Sequence, residues 1–114
     1  MDIRVKRVYE AVSPDDGGRI LVDRLWPRGI RKADVEAEWM KTVAPSTELR
    51  KWFNHEQPKW SAFKKRYFAE LEDNPDVNAL RERARRERVT LLYAAKNQEQ
   101  NHALVLKEFL EIQP

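Results

Sequence analysis

Residues 89–95, Val-Thr-Leu-Leu-Tyr-Ala-Ala, carry no charge in a chain where 36% of residues are Asp, Glu, Lys or Arg. A short apolar run rich in β-forming residues, bounded by Arg88 and Lys96, is the pattern of a strand covered on both faces. It predicts the central strand of a small sheet, and the rest of the chain is read around it.

Two more strands precede it. Ile3 to Tyr9 reads as a strand with Ile3, Val5 and Tyr9 on one face, and Arg7 breaks that face. One end of this strand is therefore expected to open on solvent or on a polar site. Arg19 to Leu25 is a second strand centred on Ile20-Leu21-Val22. The intervening Ser-Pro-Asp-Asp-Gly-Gly at 13–18 is turn-rich, and the connection allows either a hairpin or a helix-free crossover.

After Pro27 and Gly29 the period becomes helical. Asp34 is a candidate cap for a helix carrying Val35, Trp39 and Val43 until Pro45. Ser46 caps a second helix presenting Leu49, Trp52 and Phe53. Pro58 opens a third, with Trp60, Phe63, Tyr67 and Leu71 as its apolar stripe. Asn74-Pro75 starts a fourth, turning Val77, Leu80 and Ala84 inward; a last helix after Asn97–Gln100 buries Ala103, Leu106, Phe109 and Leu110. Residues 1–114 thus read as a single α/β domain: a small, mainly parallel sheet of about three strands surrounded by about five helices. Strands joined through helices imply a right-handed parallel crossover.

Composition narrows the class. Four Trp, three Tyr and four Phe supply the buried area that a disordered chain lacks. With no Cys and only His55 and His102, no disulfide framework or thiolate metal site is possible, and neither a metal nor a cofactor is expected. No apolar run approaches the roughly 20 residues of a membrane span, and the start, Met1-Asp2-Ile3-Arg4-Val5-Lys6, lacks a signal peptide's apolar stretch. The expectation is a cytoplasmic protein without a membrane partner; oligomeric state is not encoded in any pattern of this kind.

The net charge of +3 is modest for 22 basic and 19 acidic residues, so most charges are expected to pair or alternate. The run Arg-Glu-Arg-Ala-Arg-Arg-Glu-Arg at 81–88 ends a helix, where the macrodipole favours arginine and Glu82 can pair with Arg86. It reads first as a solvated helix face. The alternative is a nucleic-acid binding accessory protein using Arg81, Arg83, Arg85, Arg86 and Arg88. Another is a protein-interaction module with Trp39, Trp52 and Trp60 partly exposed.

Ligands of open α/β sheets bind beyond the carboxyl ends of parallel strands. There the second strand delivers Asp23, Arg24, Trp26 and Arg28, and the third delivers Tyr93, Lys96 and Asn97, with Asn101 and His102 opening the next helix. Arg24, Arg28 and Lys96 form a cationic socket, helix N–H groups add donors, and Trp26 can stack on a flat ring. Asp23, the only carboxylate in 20–33, is the natural base or arginine-orienting partner. His55 and Lys96 are secondary polar groups. In this reading Asp23, Arg24, His55 and Lys96 are the candidate catalytic residues, and Trp26, Arg28, Tyr93, Asn101 and His102 bind a small anionic, phosphate- or nucleotide-like molecule. The glycines at 17, 18 and 29 make no phosphate loop, no zinc spacing exists, and Ser13, Ser46 and Ser61 lie in no nucleophile elbow.

Leu21-Val22-Asp23-Arg24-Leu25-Trp26-Pro27-Arg28-Gly29 resembles the signature of the YeaO-like proteins, a bacterial family of unknown function. The likeness continues through Trp39-Met40-Lys41, Ala44-Pro45-Ser46, Leu49 to Phe53 with His55, Trp60 with Phe63 and Tyr67, Thr90 to Lys96, and Asn101-His102-Ala103. The resemblance implies no substrate or cofactor. Larger relatives place an Asp and Arg after one strand and Cys-His-Arg after another; here Asn101-His102-Ala103 takes the second place, which puts thiol chemistry in doubt.

Overall fold

The computed structural model describes residues 1–112. Four parallel strands, β1 (Ile3–Arg7), β2 (Gly18–Leu21), β3 (Glu38–Trp39) and β4 (Val89–Tyr93), form one sheet in the order β1-β4-β2-β3. The helices are α1 (Lys32–Val35), α2 (Thr47–Phe53), α3 (Trp60–Glu72), α4 (Pro75–Arg86) and α5 (His102–Ile112). β4 is central as its composition requires, with all five residues buried. β1 and β2 flank β4, so their connection is a crossover and not a hairpin. Gly17 makes that entry possible: its φ is 65°, and a Cβ there would lie 2.3 Å from the Arg88 carbonyl oxygen.

The register sorts the two faces. Ile3, Ile20, Val22, Val89, Leu91 and Tyr93 join Phe63, Tyr67, Leu71, Val77, Leu80, Leu106 and Leu110 from the helices in the main core. The opposite face carries a smaller cluster of Val8, Leu21, Val35 and Leu92, closed by Trp26, Ile30 and Trp39. The expected stripes of α3, α4 and α5 are the buried ones. Ser46 caps α2 by accepting the Leu49 N–H, and Asn74 caps α4 by accepting that of Asp76.

The predicted helix over 35–45 is not there. Asp34 lies inside the one-turn α1, whose cap is Arg31, and Glu36 then takes a left-handed conformation with φ 49°. The chain extends to pair Glu38 with Ile20 and Trp39 with Leu21, adding a fourth strand at an edge that would otherwise be bare. Val35 and Trp39 pack in the smaller cluster while Val43 enters the main core. Their helical spacing thus serves two sides of the sheet. β1 and β2 are shorter than expected, and Tyr9 is exposed, because the chain turns at Val8 and buries that residue instead.

The arginine run is absorbed by the fold. Arg81 is buried, donating to the carbonyls of Leu110 at 3.2 Å and Phe109 at 3.4 Å, at the carboxyl end of α5. Burial, and then neighbouring Arg85, lower its pKa from the ordinary arginine value. Arg83 pairs with Glu38 and Glu87, Arg88 with Asp2, and Glu82 pairs with Arg85, not with Arg86.

Candidate functional site

The carboxyl ends of β1, β2 and β4 meet at one edge because all three run in the same direction. Beyond β2 the ladder continues for one bond, Val22 N–H to Leu92 O at 3.0 Å, and then Asp23 turns out of it. The Asp23 carboxylate accepts the Ala94 N–H on Oδ2 at 3.0 Å and lies 2.9 Å from His102 Nε2 through Oδ1. Residues 71 positions apart are thereby tied across the two strand ends.

His102 is the first residue of α5, and Asn101 sets it there. The Asn101 side chain accepts the Leu104 N–H at 3.0 Å and donates to the Asn97 carbonyl at 3.0 Å. His102 Nε2 also lies 3.1 Å from the Val22 carbonyl oxygen. A carbonyl and a carboxylate both only accept, so Nε2 carries the proton and Nδ1 is the other end of the ring. Asp23 Oδ1 has no aligned hydrogen bond despite the 2.9 Å approach, so the shared proton points mainly at Val22. The carboxylate acts on the imidazole by charge, as an orienting partner does. Both side chains are mostly covered, at 14% exposure for Asp23 and 16% for His102.

Behind the pair stands Tyr67, fully buried, its ring 6.5 Å from that of His102. Its hydroxyl donates to the Val43 carbonyl at 2.6 Å. Burial pushes its phenol well above 10.0, and Glu70 and Asp23 push further, against Arg24. Arg24 donates to the carbonyls of Pro45 at 3.0 Å and Ala44 at 3.0 Å. Its guanidinium thus fastens the loop before α2 and leaves only Nη1 without a partner among the described residues.

The other predicted residues are distributed unevenly. Trp26 donates to Ile30 O at 2.6 Å and meets Trp39 edge-on at 5.3 Å. Arg28 and Lys96 are exposed. Tyr93 is buried in the main core, where burial raises its phenol, so it backs the rim rather than lining it. Asn101 is likewise buried as a cap. His55 is exposed on the turn after α2, in a left-handed conformation at φ 57° following Asn54 at 45°. Its nearest aromatic neighbour is Phe53, 6.3 Å away between centroids, and no hydrogen bond or ion pair joins it to the rim among the described residues.

Arg7 belongs to the rim and was not among the predicted site residues. Its guanidinium donates to Ala95 O at 3.0 Å and Ala94 O at 3.1 Å, so Ala94 is held through its carbonyl by Arg7 and through its N–H by Asp23. The signal was present: a charged residue breaking the apolar face of β1 where a polar site was expected. Two surface grooves lie elsewhere. One of about 500 Å³ runs between α2 and α3 past Trp52 and Arg66, and one of about 260 Å³ lies beside Tyr9, Val12 and Arg19. No helix among the described residues is long and apolar enough to cross a membrane.

Fold and rim together define a small parallel α/β protein with an Asp–His pair where the strands end. A family model described as the inactive DUF488-N3 subclade matches residues 2–113, and the chain belongs to this family. It is 50% identical to the uncharacterized protein YeaO of Escherichia coli over 112 residues, covering 96% of this chain and 97% of that one. The uncharacterized protein Rv3073c of Mycobacterium tuberculosis is 46% identical over 109 residues, 95% of this chain and 92% of that one. No solved structure matches.

Proposed function

We propose that this chain is a binding protein for a small anionic molecule, held without turnover at the carboxyl ends of β1, β2 and β4. The observation that carries the reading is the Asp23–His102 pair, 2.9 Å apart and placed between a strand end and the first residue of α5. The carboxylate holds the ring of such a histidine at the rim, and the helix N-terminus beside it favours negative charge. Arg24 Nη1, Lys96 and Arg7 add positive potential around it.

The absence of turnover rests on two points. The family description carries the word inactive. In addition, the place where larger relatives are expected to have a cysteine is Asn101, whose side chain is committed on both sides to holding α5. A residue spent on capping has no group left to attack a substrate.

The chain's two histidines make the test internal. Titrating with inorganic phosphate and nucleoside monophosphates should move the His102 ring resonances saturably, with His55 as the surface reference; His102→Gln assigns the signals. A response confined to His55, or none at either ring, removes the reading.

A further inference from the structure

The cations that the sequence concentrates on α4 are largely spent, whereas a second group of cations meets no carboxylate among the described residues. Lys32 lies 5.7 Å from the ring centroids of both Trp26 and Trp39, and Lys41 lies 5.2 Å from that of Trp39. Both lysines are exposed, and so is Arg28 on the same segment. The neighbouring acids are already engaged, Asp34 by Arg31 and Glu38 by Arg83, which leaves Glu36 as the one exposed acid of residues 28–41 without an ion pair among the described residues.

The two tryptophans are equally specific in what they leave free. Each indole N–H is used internally, Trp26 to Ile30 O at 2.6 Å and Trp39 to Asp23 O at 2.8 Å. Their inner sides close the smaller core cluster, yet both remain only partly buried. What they present outward is π surface, with ammonium groups beside it and the exposed Leu25 nearby in sequence. Flat rings plus cations without acidic partners match a chain of bases and phosphates.

We propose that the Trp26–Trp39 edge, flanked by Lys32 and Lys41, binds a segment of single-stranded nucleic acid. In the free protein the lysines rest against the indoles through exposed cation–π contacts, which are weak. A base stacking on an indole is the stronger contact, and the displaced ammonium then meets the adjoining phosphate. The site is separate from the Asp23–His102 rim, although the Trp39 N–H bond to the Asp23 carbonyl makes the two adjacent.

The test uses the full chain and a fluorescein-labelled oligothymidylate, followed by anisotropy and by quenching of tryptophan emission across a salt series. Binding is expected at low salt, with quenching and a falling log-log salt dependence. Lys32→Ala with Lys41→Ala, a surface change, should weaken it about tenfold and flatten the slope by about 1.4, since each neutralised phosphate of a single strand contributes about 0.7. Arg85→Ala with Arg86→Ala should change either quantity little, and Trp39→Phe should retain most affinity where Trp39→Leu loses it. No binding at low salt overturns the proposal. So does a slope unaltered by removing the two lysines, an equal loss from the α4 pair, or equal binding of polyglutamate without quenching.

Discussion

Asp16 and Asp23 sit two residues beyond opposite ends of β2 and meet opposite fates. Asp16 is saturated: Lys6 reaches it at 3.0 Å, Arg19 pairs with its other oxygen, and the Ser13 N–H bonds it at 3.1 Å. Even its carbonyl takes the Thr90 hydroxyl at 2.7 Å. Asp23 has one N–H on one oxygen and, on the other, only the side of an imidazole. A buried carboxylate given two permanent cations and a backbone donor is a fastening. One left with spare accepting capacity beside a titratable ring carries a cost that stability alone does not explain.

The largest expected effect breaks the fastening. Asp16→Ala leaves Arg19, 8% exposed, and the partly buried Lys6 without their counter-charge. Removing one partner of a buried pair costs about 3–5 kcal/mol, so urea denaturation should show an unfolding free energy lower by that amount, read as a lower midpoint at unchanged slope. Adding Arg19→Met to the same variant removes the stranded guanidinium and should recover part of the loss. A cost of about 1 kcal/mol or less, the range of an exposed pair, would mean that Asp16 is no more structural than Asp23.

Acid should read the same contrast more gently. Burial by itself raises the Asp16 carboxyl, but Lys6, the Ser13 N–H and Arg19 together outweigh it and hold the group below 3.8. A carboxyl whose folded value lies below its unfolded value contributes stability that is fully present above the unfolded value. That contribution is lost as pH falls through the folded one. Wild-type stability should therefore fall on acidification below about pH 4, and Asp16→Ala should fall less steeply. The slope that remains includes a part from exposed Asp2, which its hydrogen bond to Arg88 also holds below the usual range.

How much of this was readable depends on where each residue finds its partner. The stripes of α3, α4 and α5 and the uncharged β4 were legible because burial repeats at the period of the element itself. Asp23 and His102 were both legible as rim residues, since parallel strands bring their carboxyl ends together whatever the loops do. β3 was hidden, because Val35, Trp39 and Val43 have helical spacing while packing on two faces of a sheet. Arg7 was visible as a break in the apolar face of β1, but what it holds was not, and Arg19 gave no sign at all. Their partners include backbone carbonyls of Ala94, Ala95 and Val35, which no side-chain pattern announces. Arg81 could have been found: it falls four residues after Val77 and three before Ala84, on the buried face.

The smallest effect is the most discriminating one. Asp23→Asn keeps an oxygen for the Ala94 N–H, removes the charge beside His102 and sets an amide NH2 donor where Oδ1 faced Nε2. Because the main hydrogen bond survives, the cost should be about 1 kcal/mol or less, well under that of Asp16→Ala. The ring should change where the stability does not. Without the carboxylate, the Nε2 proton is held by the Val22 carbonyl alone, so the nitrogen shifts of His102 should move toward a mixed tautomer population, while those of His55 stay fixed. Phosphate affinity at the rim should change with them. If instead Asp23→Asn destabilises the fold as severely as Asp16→Ala, both aspartates are fastenings, and the rim loses the spare capacity that set it apart.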